Sequence, residues 1–322
     1  MRAIQVNEHG GPEVLTPAEV PDPIPGRGQA VVRIEAAGVN FVDVYHRIGL
    51  YPNDLPFIIG QEGAGVVVAV GEGTSGVAEG DRVAFTGVPG AYAEQISVDA
   101  ERLVPVPEAI ETRTAAALML QGMTAHYLAH DTYRLGPDSR CLIHAGAGGV
   151  GRLLIQFAKR LGATVLATVG TREKATLALE AGADHAIVYT EVDFVEASRQ
   201  ILGDDRLDVV YDSVGIDTFL PGLDLLKPRG LMALYGQSSG PVAPLDLRIL
   251  NVKGSLYVTR PSLGAYLATR EELLWRAGEV MDAVANGDVQ VHIDSTYPLA
   301  QAAAAHAALE SRATSGKLLL LP

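Results

Sequence analysis

The chain has 322 residues, 48% of them hydrophobic and 20% charged, which is enough for two domains with separate cores at the usual ~100 to 200 residues per domain. A formal net charge of −13 argues against a nucleic-acid partner, because proteins that bind a phosphate backbone ordinarily present a basic face. One cysteine, Cys141, excludes an intrachain disulfide, and no apolar run approaches the ~20 residues of a membrane span, so a cytoplasmic protein without membrane insertion is expected.

Taken from the start, Met1 to Val6 reads as a strand rather than a signal peptide. From there to about residue 119, turn signals such as Pro21-Asp22-Pro23-Ile24-Pro25-Gly26, Gly71-Glu72-Gly73 and Gly80-Asp81-Arg82 separate short strands with little helix. That pattern predicts an irregular, mostly antiparallel β domain. Between about 120 and 262 the pattern changes to alternating strand and helix. The expected strands are Cys141 to Ala145, Thr164 to Val169, Ala186 to Tyr189, Val209 to Ser213, Leu231 to Gly236 and Ser255 to Thr259. The expected helices, Val150 to Leu161, Glu173 to Ala181 and Phe194 to Leu202, end at Gly162, Gly182 and Gly203, where a left-handed cap suits glycine. Such alternation belongs to a parallel sheet wrapped by helices on both faces. After residue 263 follow a helix from Arg270 to Ala285, another near Leu299 to Leu309, and a last strand from Lys317 to Leu321. That strand has no sheet of its own, so it is expected to return to the first domain. Residues 1–121 and 264–322 then form one domain and 122–263 an insertion, with the active site in the cleft between them.

The most informative stretch is His144-Ala145-Gly146-Ala147-Gly148-Gly149-Val150-Gly151, placed between an apolar strand and a helix. Gly146, Gly148 and Gly151 stand at the spacing of a strand-to-helix turn: one for the turn, one to let backbone reach a pyrophosphate, one for close helix packing. The helix start, with Gly149 and Val150, offers N–H groups and a partial positive charge to phosphates. This predicts a doubly wound, dinucleotide-binding Rossmann sheet. An NAD-specific fold ends its second strand with an acid that binds the ribose hydroxyls. Here Val169 is followed by Gly170-Thr171-Arg172-Glu173-Lys174. The missing acid leaves room for a 2′-phosphate, which Arg172 and Lys174 could pair, and cations at a helix start otherwise oppose its dipole. NADPH is therefore the expected cofactor. Tyr189, closing the third strand, could add its hydroxyl. Ser213, Ser238 and Ser239 follow the fourth and fifth strands at the carboxyl ends where such folds place ligand contacts.

Gly38-Val39-Asn40-Phe41-Val42-Asp43-Val44-Tyr45, Gly60-Gln61-Glu62-Gly63-Ala64-Gly65, Gly80-Asp81-Arg82-Val83, Gly254 to Pro261 and Asp138 to Lys159 together resemble blocks of the medium-chain dehydrogenase/reductase superfamily. Within it the chain is similar to the zinc-independent NADPH:quinone oxidoreductases related to zeta-crystallin, over its whole length and in order, departing at Ser139 where an acid or amide is usual. The resemblance implies a Rossmann sheet inserted in a GroES-like, mostly antiparallel β domain. Zinc-dependent relatives carry cysteine where this chain has Asn40 and histidine where it has Gln61, and one buried cysteine with His126, His130, His144 and His185 scattered does not supply a tetrahedral site. Chemistry without zinc suits an acceptor that is already electron-poor, and a quinone becomes aromatic on taking a hydride.

By the same resemblance Asn40, Tyr45 and Arg260 face the nicotinamide, and Asp43 and Thr124 neighbour the cofactor. Tyr45 would hydrogen-bond the acceptor oxygen, and Arg260 would offset product charge or hold phosphates. Bland roles stay open: Asn40 as the cap of a helix beginning at Phe41, Tyr45 as a core aromatic, Arg260 as a loop cation. Many relatives carry lysine at Gln121. Competing activities are reduction of an enone or enoyl substrate and a low-turnover structural or sensing role. The edge at Ser255 to Thr259 is expected to pair with its copy in a homodimer.

Overall fold

Apolar runs broken by glycine and proline turns become strands through the first third of the chain. The computed structural model describes residues 1–322 and divides into two units, Met1–Met123 with Leu267–Pro322, and Thr124–Tyr266. The first segment contributes β1 (Arg2–Val6), β2 (Leu15–Glu19), β3 (Gln29–Val39), α1 (Phe41–Arg47), β4 (Phe57–Ile58), β5 (Glu62–Val70), β6 (Arg82–Thr86), β7 (Gln95–Asp99) and β8 (Val104–Pro105). The eleven-residue β3 is the backbone of this unit, antiparallel to both β5 and β7. Gly65 permits the close approach of β5, since a Cβ there would lie 1.9 Å from the Arg33 carbonyl oxygen. Val32, Ile34, Val67, Val83, Phe85 and Tyr92 fill the core beneath these strands.

Helix α2 (Thr112–Tyr127) begins where the sequence pattern suggested little helix. Its run Ala115-Ala116-Ala117-Leu118-Met119 is buried all round, so it lacks the polar stripe by which an amphipathic helix is recognised. The second unit then follows with β9 (Arg140–Ile143), α3 (Gly149–Arg160), β10 (Thr164–Val169), α4 (Arg172–Glu180), β11 (His185–Val188), α5 (Phe194–Leu202), β12 (Leu207–Asp212), α6 (Phe219–Gly222), β13 (Leu226–Leu234), α7 (Arg248–Val252) and β14 (Tyr257–Thr259). All six strands are parallel, in the order β11-β10-β9-β12-β13-β14. The chain winds outward from β9 to β11 and restarts on its other side at β12, which makes the β9–β12 boundary the topological switch point. Gly162, Gly182 and Gly203 take positive φ values of 83°, 106° and 61° just past α3, α4 and α5.

The remaining residues return to the first unit as α8 (Arg270–Ala285), β15 (Ile293–Pro298), α9 (Ala302–Glu310) and β16 (Lys317–Leu321). Thr269 and Glu272 form a reciprocal cap at the start of α8. Strand β16 pairs antiparallel with β3, and β15 adds a parallel edge that the sequence pattern did not reveal. No helix is long and apolar enough to cross a membrane.

Candidate functional site

In the second unit, the carboxyl ends of the parallel strands lie on one edge of the sheet, and all the sequence-predicted cofactor residues except Asp43 and Thr124 follow one of them. After β9 the turn is made by Ala145, whose φ of +54° is the left-handed residue here, while Gly148 has an ordinary φ of −75°. The glycines are needed for space instead. A Cβ on Gly151 would stand 2.3 Å from the Ala145 carbonyl oxygen, one on Gly146 2.7 Å from the Ala167 Cβ, and one on Gly148 3.1 Å from the Ala145 oxygen. No side chain caps α3 and no acid stands in its first turn, so the leading N–H groups around Gly149, Val150 and Gly151 are of the kind that binds anions. Just past the motif, Arg152 has Nε and Nη1 buried without a partner. His144 lies fully buried before the turn, its Nδ1 2.8 Å from the Thr168 hydroxyl. Burial holds its pKa below the usual histidine value.

After β10, Gly170 passes under the tip of Tyr189, and a Cβ there would meet the Tyr189 hydroxyl at 3.1 Å. Thr171 caps α4 by accepting from the Lys174 N–H at 3.3 Å. Arg172 is exposed but already engaged: its Nε and Nη2 donate to the two carboxylate oxygens of Glu191 at 2.8 and 2.9 Å. Glu191 was not singled out from sequence, although it stands two residues beyond Tyr189. After β12 the fully buried Asp212 organises the loop by accepting from the Val214 N–H, the Gly215 N–H and the Thr218 hydroxyl. Ser213 accepts the Ser238 N–H through its carbonyl at 3.1 Å. The Ser239 hydroxyl donates to the Val214 carbonyl at 2.8 Å and accepts from the Asp217 N–H at 3.3 Å, so it ties the two loops together. Arg260 follows β14 and reaches the Leu234 carbonyl at the end of β13 with its Nη1, at 2.9 Å. Thr124 sits apart from these strands, buried within α2.

The first unit gathers Asn40, Asp43 and Tyr45 around α1. Asn40 is the N-cap residue and forms a reciprocal capping box with Asp43, and its side chain is also engaged elsewhere. Its Nδ2 donates to Glu62 at 2.8 Å and to the Gly38 carbonyl at 3.3 Å, and its Oδ1 accepts from Lys317 at 2.8 Å and from Gln121 at 3.4 Å. An amide side chain has two donor hydrogens and two acceptor sites, so the hydrogen-bonding capacity of Asn40 is spent inside this unit. Lys317 also pairs with Glu62, and all three residues are at most 3% exposed. Neither Glu62 nor Lys317 stood out from sequence, where a lone charge reads as surface. Gln61 points its amide at His46, 3.3 Å away. Tyr45 is 8% exposed and stacks edge-on against Tyr51 with ring centroids 5.5 Å apart. Asp43, expected beside a cofactor, is fully buried, accepting from the Asn40 N–H at 2.9 Å and the Tyr92 hydroxyl at 3.0 Å. Its other oxygen has no partner, and burial raises its pKa to about 7. The sulfur of Cys141 is buried in β9 with its pKa pushed up by that burial, as an inert core thiol requires.

A glycine cradle with no room for side chains and an uncapped helix start fit a dinucleotide at the carboxyl edge of this sheet.

Comparison with known proteins gives a coherent picture. Residues 26–108 match the alcohol dehydrogenase GroES-like domain family, and residues 181–320 match the zinc-binding dehydrogenase family. The chain is 46% identical to quinone oxidoreductase 1 of Escherichia coli strain K12 over 99% of both chains. It is 42% identical to 2-haloacrylate reductase of a Burkholderia species, over 99% of this chain and 98% of the other. The crystal structure of the Escherichia coli quinone oxidoreductase complexed with NADPH superimposes with a TM-score of 0.98 at 46% identity, covering 100% of each chain.

Proposed function

Because this chain belongs to the quinone oxidoreductase family of the medium-chain dehydrogenase/reductases, we propose that it reduces quinones at the expense of NADPH, without zinc. It is an NADPH-dependent quinone oxidoreductase. The observation that carries this reading is the full-length 46% identity to a quinone oxidoreductase together with a β10 strand that ends at Val169 and is followed by Gly170 rather than by an acid. Bound NADPH supplies the hydride.

The protein's own residues supply position and charge. In this reading the N–H groups at Gly149, Val150 and Gly151 hold the pyrophosphate. Arg172, Lys174 and Tyr189 surround the 2′-phosphate, with Arg172 exchanging Glu191 for it. Ser213, Ser238 and Arg260 line the same sheet edge, Ser239 through the loop that it ties. Tyr45 donates to the acceptor oxygen as negative charge develops there, the kind of preorganised donor that lowers a barrier. Asn40 is a node that shapes the start of α1. Its saturated hydrogen bonding supports that role over direct contact with the acceptor.

The direct test is NADPH oxidation by the purified protein with an ortho-quinone, a para-quinone, an enone and an enoyl thioester side by side. Quinone turnover is expected, and turnover of the thioester alone contradicts the proposal. Similarity to a 2-haloacrylate reductase supports a second reading, reduction of an activated carbon–carbon double bond by the same donor, which the enone arm of that assay reports.

We also propose a homodimer. Strand β14 pairs only with β13 and leaves its other edge open, with Tyr257 and Val258 exposed, and an open edge is a template for pairing. Light scattering at micromolar concentration is expected to give twice the chain mass of 33.9 kDa. A single-chain mass refutes the dimer.

A further inference from the structure

Helix α1 has seven residues, fewer than an isolated helix needs to persist in water, yet it carries Tyr45. Its two ends are joined by a hydrogen-bonded chain that runs through residues far apart in sequence. Arg47, the last residue of the helix, donates from Nη1 and Nη2 to the Glu310 carboxylate, both at 2.8 Å, and its Nη1 lies 3.1 Å from Nδ1 of His306. Nε2 of His306 lies 3.1 Å from the Tyr92 hydroxyl, and that hydroxyl lies 3.0 Å from Oδ2 of Asp43 in the first turn. Oδ2 of Asp43 also takes the N–H of Asn40.

The direction of every bond follows from its arginine end. A guanidinium only donates, so Nδ1 of His306 accepts. The neutral ring then carries its hydrogen on Nε2 and donates it to the Tyr92 oxygen, and the Tyr92 hydrogen remains for Asp43. Arg47, Tyr92, Asp43 and His306 are all at most 1% exposed. The groups facing Asp43 from the surrounding elements are Tyr92, the Asn40 N–H, and at longer range Lys317 and Glu62. Arg47, Tyr92 and His306 were given no part in the reduction above, and Tyr45 sits midway between the two anchors at 43 and 47.

We propose that His306 and Tyr92 are positioning residues for quinone reduction, clamping α1 through Asp43 and Arg47 so that Tyr45 is held where it meets the acceptor. The proposal rests on the reading of Tyr45 as the acceptor's hydrogen-bond donor. Buried positions filled by polar groups with one allowed direction of bonding specify one arrangement of the elements that they join. The C-terminal segment, which supplies His306 and Glu310, thereby sets the pose of a helix formed more than 250 residues earlier.

The test compares Tyr92→Phe, His306→Ala, His306→Gln and Tyr45→Phe with the unaltered enzyme. The readouts are kcat/KM for a para-quinone, the dissociation constant for NADPH, and Tm. Tyr92→Phe keeps the ring and removes only the bridging hydroxyl, so it answers even where His306→Ala fails to fold. Tyr92→Phe and His306→Ala are expected to lower kcat/KM for the quinone by about tenfold, the worth of one buried hydrogen bond, and to leave NADPH binding unchanged. Glutamine, which accepts through its oxygen and donates through its nitrogen, is expected to restore most of the loss at position 306. A lowered Tm with unchanged quinone kcat/KM overturns the proposal, as does a His306→Gln protein no better than His306→Ala. Loss of turnover in Tyr45→Phe alone overturns the clamp but keeps the reading of Tyr45. An unaffected Tyr45→Phe removes both.

Discussion

Asp43 and His306 lie on one hydrogen-bonded chain and titrate in opposite senses. Burial raises Asp43 from its ordinary 3.8 to about 7, so between those values the folded protein holds a proton that the unfolded chain has lost, and stability falls as pH rises. Burial, then the Arg47 charge, lowers His306 from 6.5 to about 3. Over that range the unfolded chain holds the extra proton and stability rises with pH. In the shared window, from about pH 4 to 6.5, two slopes of ~1.4 kcal/mol per pH unit oppose one another. Asp43→Asn is therefore expected to show stability rising with pH relative to the unaltered protein, and His306→Gln to show it falling, read from urea midpoints across that window. Parallel curves for all three proteins contradict the assignment. At the cofactor edge, Lys174→Ala is expected to weaken NADPH roughly ten- to a hundredfold, the range of a charge-assisted contact, and to leave NADH nearly unchanged. Titration calorimetry with both nucleotides checks this, and equal losses remove the 2′-phosphate assignment.

The glycine turn between β9 and α3 owes its shape to crowding more than to backbone freedom. Its one left-handed residue is Ala145, while Gly151 and Gly146 are pressed against the Ala145 oxygen and Ala167. Gly151→Ala forces a methyl into that contact and is expected to cost about 1 to 3 kcal/mol, together with loss of measurable NADPH binding, because α3 must move away from the turn. A thermal melt and a nucleotide titration report the two effects, and a variant with normal binding argues against the cradle. The turn's location was legible because strand, glycine spacing and helix coincide in twenty residues. The same holds for α4 and α5, whose terminal glycines, Gly182 and Gly203, take the left-handed conformation. Helix α2 and strand β15 were not legible. The former is buried all round along Ala115 to Met119, and the latter, Ile293-Asp294-Ser295-Thr296-Tyr297-Pro298, is a polar edge strand with no apolar alternation.

At the scale of the whole molecule, the return of β16 to β3 makes the first unit from both ends of the chain. This closure was readable from sequence because a lone terminal strand must find a sheet. Its consequences for the site were not, since the long-range partners of Asn40 and Asp43 lie at residues 62, 92, 121 and 317, and a buried ion pair such as Lys317–Glu62 looks in sequence like two surface charges. Removing one member of that pair leaves the other charged and buried, at a cost of about 3 to 5 kcal/mol. The fold thus places the nucleotide residues on the carboxyl edge of one sheet and the Tyr45 helix in a unit that closes on itself, and the resemblance to quinone oxidoreductases joins the two into one activity. The most direct measurement of that activity is steady-state kcat/KM of the purified protein with a para-quinone, using NADPH and NADH in turn. Quinone-dependent turnover with NADPH preferred by roughly ten- to a hundredfold is the expected result, and oxidation of neither nucleotide, or a preference for NADH, would contradict it.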